Sequence, residues 1–242
     1  MIQEQPHYSE SFKIRSSEVR TDGKLKVQNL CDLLQETAGN HALELNFDVT
    51  QLHEHSRTWM LHRIDIKIEQ YPEWRDRVTV RTWPSSGDSL RAYRDFLVLD
   101  SAETVLARAL SYWLMIDLES RRPVRIPQEV LEMAPAGAEH VLPVSKGRPS
   151  PPENSGIEKI FSIRRSDLDV NDHVNNIRYV EWITETLGED DRIERLDIEF
   201  KAECGYGNDV EVGSERTGNR VRSSVGIKED EKILATAEMQ LF

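Results

Sequence analysis

The pattern of apolar and polar residues along the chain predicts the same succession of elements twice. Two stretches carry apolar residues at helical spacing, and each predicts one amphipathic helix. Their apolar residues are Val27, Leu30, Leu33, Leu34 and Ala38 in the first half, and Val174, Ile177, Val180, Ile183 and Leu187 in the second. Alternating residues after each helix predict antiparallel strands with one buried face. These strands are 63–68, 78–83, 91–99 and 105–117, then 195–200, 209–217, 220–228 and 232–242. A helix that covers a curved antiparallel sheet is an α+β arrangement.

Sequence matches between the two halves predict a duplicated fold. The matches at one offset are Asp22 with Asp169, Val27 with Val174 and Asn29 with Asn176, and a second block matches 63–68 with 195–200. The stretch between the halves is rich in Pro, Gly and Ser, as extended linkers are. We therefore expect an N-terminal domain at 1–133, a linker at 134–156 and a C-terminal domain at 157–242.

Composition narrows the class of protein. The formal net charge is −12, from 43 acidic and 31 basic residues, which disfavours nucleic acid as a partner. The sequence has no apolar run long enough to span a membrane, and residues 1–7 lack the features of a signal peptide. Cys31 and Cys204 lie far apart, without the spacing of a metal site or a disulfide framework. We expect a cytoplasmic protein that binds neither nucleic acid nor membrane.

Side chains suited to hydrolysis are concentrated before the second helix. Asp169, Asn171 and His173 occupy alternate positions, so an extended backbone would point all three the same way. The free N–H groups of the following helix start can receive a developing negative charge. Glu203 follows a strand some thirty residues later. Singly, these residues are typical of turns and strand ends, and a metal site of Asp169, His173 and Glu203 matches no known spacing.

The run from Asp169 to Tyr179, Asp-x-Asn-x-His-Val-Asn-Asn-x-x-Tyr, resembles the signature of hotdog-fold thioesterases. Glu203-Cys204-Gly205 resembles the acyl-acyl-carrier-protein (acyl-ACP) thioesterases in particular. Further family-like stretches are 35–41, 71–74, 121–123 and 126–127. The resemblance implies a double hotdog, two tandem hotdog folds, and hydrolysis of fatty acyl-ACP to free fatty acid and holo-ACP. The transit leader of plant members is lacking, which suggests a bacterial, cytoplasmic protein.

The resemblance and the chemistry of thioesters assign roles to these residues. Glu203 is the expected general base, and Asn171 is an expected donor to the thioester carbonyl. His173 either donates to the carbonyl as well or protonates the leaving thiolate. Backbone N–H groups of 174–176 are expected to complete the oxyanion hole. Asp169 either orients the site or attacks as a nucleophile, and both roles remain open. Cys204 has no second histidine nearby in its half of the chain, which favours a packing role.

The first half lacks these side chains at the aligned positions. Lys24, Lys26 and Tyr71 stand where the second half has Asn171, His173 and Glu203, and Asp22 alone is retained. We therefore expect a non-catalytic N-terminal hotdog that binds the acyl chain. The internal pair mimics a hotdog dimer, so a monomer and a homodimer are both compatible with the sequence.

An acidic carrier protein needs a basic docking face on this acidic chain. The candidate clusters are Arg121 and Arg122 with Arg125, Arg164 with Arg165, and Arg91 with Arg94. Solvated strand ends explain these clusters equally well.

The competing functions are an acyl-CoA thioesterase, a non-catalytic acyl-binding hotdog protein and a hotdog dehydratase, which needs a different arrangement of His and acid. The sequence has no Gly-x-Ser-x-Gly motif, which argues against an α/β-hydrolase.

Overall fold

The computed structural model describes residues 7–134, 139–154, 156–228, 230 and 232–242. The chain forms two compact units, Met1–Val144 and Ser145–Phe242. Parts of the predicted linker, 135–138 and 155, lie outside the described residues. Each unit packs one main helix against an antiparallel sheet, so the α+β class predicted from the sequence is confirmed.

The first unit contains a five-stranded antiparallel sheet with an added short strand. Its elements are β1 (Tyr8–Lys13), α1 (Val27–Glu44), α2 (Val49–His53), β2 (Arg57–Ile68), β3 (Arg77–Ser85), β4 (Arg91–Leu99), β5 (Val105–Asp117), β6 (Pro123–Val124) and α3 (Gln128–Leu131). The strands lie in the order β1-β3-β4-β5-β2, and β6 pairs with β5. The sheet therefore begins with the strand that precedes α1 and ends with the strand that follows α2.

The second unit repeats this layout with shorter elements. Its elements are β7 (Ile157–Ser162), α4 (Asn176–Thr184), β8 (Ile193–Phe200), β9 (Asp209–Thr217), β10 (Arg220–Ile227) and β11 (Ile233–Leu241). The strand order β7-β9-β10-β11-β8 is the same as in the first unit. The duplication predicted from short sequence matches is thus visible in the topology of both sheets.

The main helices follow the predicted apolar stripes to different extents. All five stripe residues of α1 are buried, and the helix runs for 18 residues. Helix α4 runs for only nine residues, so Val174 and Leu187 lie outside it. The side chain of Asn175 caps its start by accepting a hydrogen bond from Ile177 N at 3.1 Å. At its end, the hydroxyls of Thr184 and Thr186 bind backbone carbonyls.

Aromatic side chains join the short helix α4 to the core of the second unit. Tyr179 makes edge-to-face contacts with Trp182 and Phe200, at centroid distances of 5.4 and 5.9 Å. Trp182 also stacks with Phe161 of β7. Because aromatic groups bury large areas, these contacts hold the helix in place despite its length. Within the part of the chain that the structure describes, no helix is long and apolar enough to cross a membrane.

Candidate active site

The segment that carries the motif is a closed turn, so the extended backbone expected at 169–173 is wrong. Asp169 N donates to His173 O at 2.7 Å, and Asp172 N donates to Asp169 O at 3.1 Å. Asp172 adopts a left-handed conformation with φ of 62°. Leu168 and Val174 form a bridge that closes the base of the turn. Local hydrogen bonds to an aspartate favour such a turn over a strand.

The carboxylate of Asp169 holds this turn from inside. Its Oδ1 atom accepts hydrogen bonds from Asn171 N at 2.8 Å and His173 N at 3.3 Å. Contacts of this kind between an aspartate and the following backbone are typical of Asx turns. Asp169 therefore sets the backbone positions from which Asn171 and His173 project. The side chain of Asn171 is exposed at the tip of the turn.

The turn brings His173 next to Glu203. The His173 Nε2 atom lies 3.5 Å from Glu203 Oε2, and the two side chains are 33% and 43% exposed. The backbone bond from Val174 N to Cys204 O, 2.9 Å long, fixes this approach. The imidazole and the carboxylate are thus neighbours at a surface that water and a substrate can reach. At this separation a direct hydrogen bond is long, and a bridging water is a common arrangement.

The predicted oxyanion hole needs correction. Val174 N donates to Cys204 O, and Asn175 N donates to Asp167 O at 2.9 Å. These two groups are therefore used in backbone hydrogen bonds and are not free to bind an oxyanion. Asn176 N, at the first residue of α4, has no acceptor among the described residues. Of the three backbone donors predicted at 174–176, Asn176 N therefore remains available for a substrate oxygen.

Tyr179 is a neighbour of the site whose importance the sequence did not reveal. In the sequence it is the last residue of the motif, without an assigned role. Its side chain is buried, and its hydroxyl has no hydrogen-bond partner among the described residues. Burial raises the pKa of Tyr179, and the negative charges of Glu203 and Asp169 raise it further. The hydroxyl therefore stays protonated beside the site, as a donor.

The thiol and metal alternatives find no support in this geometry. Cys204 is buried, and burial raises the pKa of its thiol above the ordinary value. A thiol with a raised pKa is a poor nucleophile at neutral pH, which favours packing. Among the described residues, no group of three or more His, Cys, Asp or Glu side chains is arranged to hold a metal ion.

The structural repeat corrects the alignment of the two motif turns by two positions. In the first unit Arg20 N donates to Lys24 O, and Gly23 N donates to Arg20 O. The equivalent bonds of the second unit run from Asp169 N to His173 O and from Asp172 N to Asp169 O. Arg20, Asp22 and Lys24 therefore correspond to Asp169, Asn171 and His173. Leu25 N donates to Pro72 O, as Val174 N does to Cys204 O, so Tyr71 corresponds to Glu203, as the sequence predicted. None of the four candidate residues is retained in the first unit.

The first unit contains a cavity of about 340 Å³. The wall is formed by the second half of α1, the segment up to α2, and residues of β2, β4, β5 and α3. Most of its lining is apolar, including Leu43, Leu45, Phe47, Trp59, Trp113 and Met133. Its size lies within the range of roughly 300–1,000 Å³ that is usual for small-molecule sites.

One arginine of this cavity is held by neutral groups. Arg94 Nη1 lies 2.8 Å from His41 Nδ1 and donates to Thr82 Oγ1 at 3.3 Å. Burial lowers the pKa of Arg94 to about 10. Burial, and then the charge of Arg94, lower the pKa of His41 to about 4. Above that pH the imidazole is neutral, and its Nδ1 atom accepts the hydrogen bond because a guanidinium can only donate.

The arginine clusters considered for docking differ in their surroundings. Arg94 lines the cavity, and Arg91 pairs with Asp88 at 2.8 Å. Arg164 pairs with Asp167 at 2.9 Å, and the Arg165 guanidinium lies 4.6 Å from the centre of the Tyr206 ring. Arg121, Arg122 and Arg125 are exposed, which leaves this group as the candidate basic surface.

Comparisons with known proteins agree over most of the chain. The Acyl-ACP thioesterase N-terminal domain matches residues 5–134, and the Acyl-ACP thioesterase C-terminal domain matches residues 151–240. A chloroplastic palmitoyl-acyl carrier protein thioesterase of Gossypium hirsutum is 34% identical over 223 residues, which cover 85% of this chain and 54% of the relative. A chloroplastic oleoyl-acyl carrier protein thioesterase of Coriandrum sativum is 30% identical over 234 residues, covering 84% and 61%. The chain thus spans little more than half the length of these relatives.

Solved structures show the same fold over nearly the full length. An acyl-ACP thioesterase from Bacteroides thetaiotaomicron superposes with a TM-score of 0.89 at 24% identity, covering 98% of both chains. The 12:0-ACP thioesterase from Umbellularia californica gives a TM-score of 0.85 at 24% identity, covering 98% of this chain and 97% of its own. These matches confirm the double hotdog expected from the sequence. On the two family matches together, the chain belongs to the acyl-ACP thioesterase family.

Proposed function

We propose that the protein hydrolyses the thioester of fatty acyl-ACP, releasing a free fatty acid and holo-ACP. The observation that carries this proposal is the approach of His173 Nε2 to Glu203 Oε2 at 3.5 Å, beside the turn shaped by Asp169. In a member of this family, an imidazole and a carboxylate that are both accessible supply the acid–base pair that thioester hydrolysis needs. Asp169, Asn171, His173 and Glu203 are the proposed site residues.

The reaction begins with Glu203 as the general base. Its carboxylate takes a proton from water, and the resulting hydroxide attacks the thioester carbonyl carbon. Asn171 and Asn176 N then donate hydrogen bonds to the oxyanion of the tetrahedral intermediate. When the carbon–sulfur bond breaks, the electron pair leaves with sulfur. His173 carries the proton from Glu203 to the thiolate or to solvent, and the carboxylate is restored.

Asp169 is better supported as a positioning residue than as the nucleophile. Its Oδ1 atom already accepts hydrogen bonds from two backbone N–H groups of the turn. An attack by this carboxylate would expel the thiolate, form a mixed anhydride and weaken the bonds that hold Asn171 and His173. The proposal therefore assigns to Asp169 the shape of the turn and to Glu203 the activation of water.

The first unit is proposed to bind the acyl chain without taking part in the chemistry. The apolar cavity of about 340 Å³ supports this role, as does the replacement of the four candidate residues by Arg20, Asp22, Lys24 and Tyr71. The exposed arginines Arg121, Arg122 and Arg125 are proposed to attract the acidic carrier protein. We also propose a cytoplasmic location and leave monomer and homodimer as alternatives for a sedimentation measurement.

Product analysis with a panel of acyl-ACPs of different chain lengths tests the function. Wild-type protein is expected to release fatty acids, and His173→Ala is expected to lower kcat by roughly 10²–10⁴-fold. Lys24→Ala changes the corresponding position of the first unit and is the matched control, with kcat unchanged. Circular dichroism checks that both variants are folded.

The competing functions give different results in the same assay. Faster turnover of acyl-CoA than of the matched acyl-ACP would favour an acyl-CoA thioesterase. Binding of acyl groups without turnover over the whole panel would show a non-catalytic acyl-binding protein. Equal losses in His173→Ala and Lys24→Ala would contradict the placement of the chemistry in the second unit.

A further inference from the structure

The cavity of the first unit holds a cation that no carboxylate of the described residues neutralises. Arg94 lines the cavity, and among the described residues its side chain makes hydrogen bonds only with His41 Nδ1 and Thr82 Oγ1. Both contacts are made by Nη1. Within the part of the chain that the structure describes, the Nε–H and Nη2–H groups of Arg94 therefore have no acceptor.

The unused edge of Arg94 has the geometry of a carboxylate site. Nε and Nη2 project two parallel N–H groups, and a carboxylate binds such an edge with two hydrogen bonds. Neither atom is among the fully buried unpaired atoms, whereas Nε of Arg81 and Nε of Arg178 are. A cation enclosed by apolar groups is costly unless an anion or strong acceptors accompany it. The edge is therefore not completely enclosed by the protein, and it needs an acceptor.

The remainder of the cavity is suited to a hydrocarbon. Trp59, Trp113, Leu45, Phe47 and Met133 contribute apolar surface to its wall. The lining has two charged side chains, Arg94 and Asp48. A mostly apolar wall with a few charged or polar groups that fix orientation is the usual construction of a site for an amphipathic small molecule. Arg94 would then recognise one end of the ligand, and the wall would enclose its chain.

We propose that this cavity binds an alkyl chain that ends in a carboxylate, with the carboxylate on the Nε/Nη2 edge of Arg94. The free fatty acid released by hydrolysis has this chemistry, and for this source of ligand the inference rests on the proposed function. A released acid held here occupies the space that the next acyl chain needs. Arg94 thus makes the protein sensitive to inhibition by its product.

Binding measurements with the whole protein test the site without any turnover. Decanoate and decan-1-ol share a chain length, and only decanoate is charged at neutral pH. Wild-type protein is expected to bind decanoate about tenfold more tightly than decan-1-ol in calorimetric titrations, because bonds to charged groups are the stronger ones. Arg94→Met is expected to remove this preference, and Arg94→Lys to reduce it, since an ammonium lacks the two-donor edge.

Arg108→Met is the matched control, because Arg108 lies on β5 and pairs with Glu69 at 3.2 Å outside the cavity lining. It is expected to keep the full preference for decanoate. Equal affinity of wild-type protein for the acid and the alcohol would overturn the inference, and this comparison needs no variant to fold. Loss of the preference in Arg108→Met as well as in Arg94→Met would also overturn it, because a general charge effect would then explain the result.

Inhibition assays identify the source of the carboxylate. Decanoate is expected to inhibit acyl-ACP hydrolysis competitively in the wild type and about tenfold less strongly in Arg94→Met. Faster, Arg94-dependent turnover of an acyl-ACP with a terminal carboxylate, without inhibition by decanoate, would overturn the assignment to the product. Decanoate binding in a protein that hydrolyses no acyl-ACP would support the site and refute the proposed function, so the two failures are distinguishable.

Discussion

The turn before α1 and the turn before α4 share a backbone and differ in every side chain that could do chemistry. The closing bond measures 2.8 Å from Arg20 N to Lys24 O and 2.7 Å from Asp169 N to His173 O. The third inner residue is left-handed in both turns, with φ of 80° at Gly23 and 62° at Asp172. The backbone of this turn is therefore a property of the fold, and not of the candidate chemistry.

The side chains that project from the two turns differ, although the backbones agree. In the second unit the turn presents Asn171 and His173, with Glu203 opposite the imidazole. At the corresponding positions of the first unit stand Asp22, Lys24 and the buried Tyr71. A scaffold of this kind keeps its hydrogen bonds when the projecting residues change, because the bonds are made by backbone groups. The difference between the turns therefore isolates the residues that the proposed reaction requires.

The largest loss of kcat is expected from a change at Glu203, whose counterpart in the first unit is Tyr71. Glu203→Gln removes the proposed base and keeps the size of the side chain, so kcat for acyl-ACP should fall by roughly 10³-fold. Steady-state rates with a fixed acyl-ACP measure the effect. Glu73→Gln, in the corresponding segment of the first unit, is the control and should leave kcat unchanged. A glutamine variant with near wild-type kcat would remove Glu203 from the mechanism.

Replacement of Asn171 tests the donor at the tip of the turn. Asn171→Ala should lower kcat by roughly 10²-fold, because one oxyanion donor is lost while the backbone of the turn is kept. Asp22→Ala is the matched change in the first unit, and kcat should not respond to it. If Asn171→Ala raised only KM, the amide would bind the ground state and not the transition state.

The two roles of Asp169 predict different results for an isosteric change. In Asp169→Asn the side-chain oxygen can still accept from Asn171 N and His173 N, so a positioning role predicts a loss of less than about tenfold in kcat. A nucleophilic carboxylate predicts complete loss of activity. Mass spectrometry of the quenched reaction completes the test, since an acyl-enzyme of the expected mass would establish the nucleophile and contradict the positioning role.

Tyr179→Phe should have a mixed effect. The hydroxyl has no partner among the described residues, so its removal should leave the melting temperature equal or slightly higher. The charges of Glu203 and Asp169 act on this hydroxyl, so if it donates to a group of the reacting substrate its removal should lower kcat by about tenfold. An unchanged kcat together with a raised melting temperature would show that the hydroxyl has no part in the reaction.

The smallest effect is expected from moving a residue of one turn into the other. Asp172→Gly places the glycine of the first unit at the left-handed position of the second, where a side chain is strained. The free energy of unfolding should rise by about 0.5–1 kcal/mol in denaturant titrations, with kcat unchanged. A loss of stability would show that the Asp172 side chain contributes contacts that outweigh the strain.

Much of the fold was predictable because it depends on periodicity. The stripe from Val27 to Ala38 is buried as predicted. The prediction of one buried face holds for β9 and β10, which bury alternate residues, and is wrong for β2, β4, β5 and β11, which contain runs buried on both faces. The bounds of α4 were not predictable from the stripe, because the cap at Asn175 sets its start and the hydroxyls of Thr184 and Thr186 bind carbonyls at its end. Local hydrogen bonds there outweighed the helical pattern.

The sequence predicted which residues belong to the candidate site, but it did not predict how they are arranged in space. Asp169, His173 and Glu203 were named from the sequence, and the structure brings the imidazole and the second carboxylate together. The extended lead-in was wrong because the carboxylate of Asp169 favours a turn. The alignment of the two turns was shifted because Asp22 and Asp169 are identical residues in different structural positions.

The sequence by itself determined the class of fold, its duplication and the identity of the polar residues beside α4. These follow from the periodicity of apolar residues and from residue type, which are both properties of the sequence. Only the tertiary structure decided which N–H groups are already bonded, that Tyr179 lies beside the site, and that Arg94 lies in a cavity with neutral partners. These features depend on acceptors and walls supplied by residues far away in the sequence, as Val174 N depends on Cys204 O. The spacing of residues along the chain does not show which distant groups become hydrogen-bond partners or cavity walls, because these are set only when the strands and helices pack.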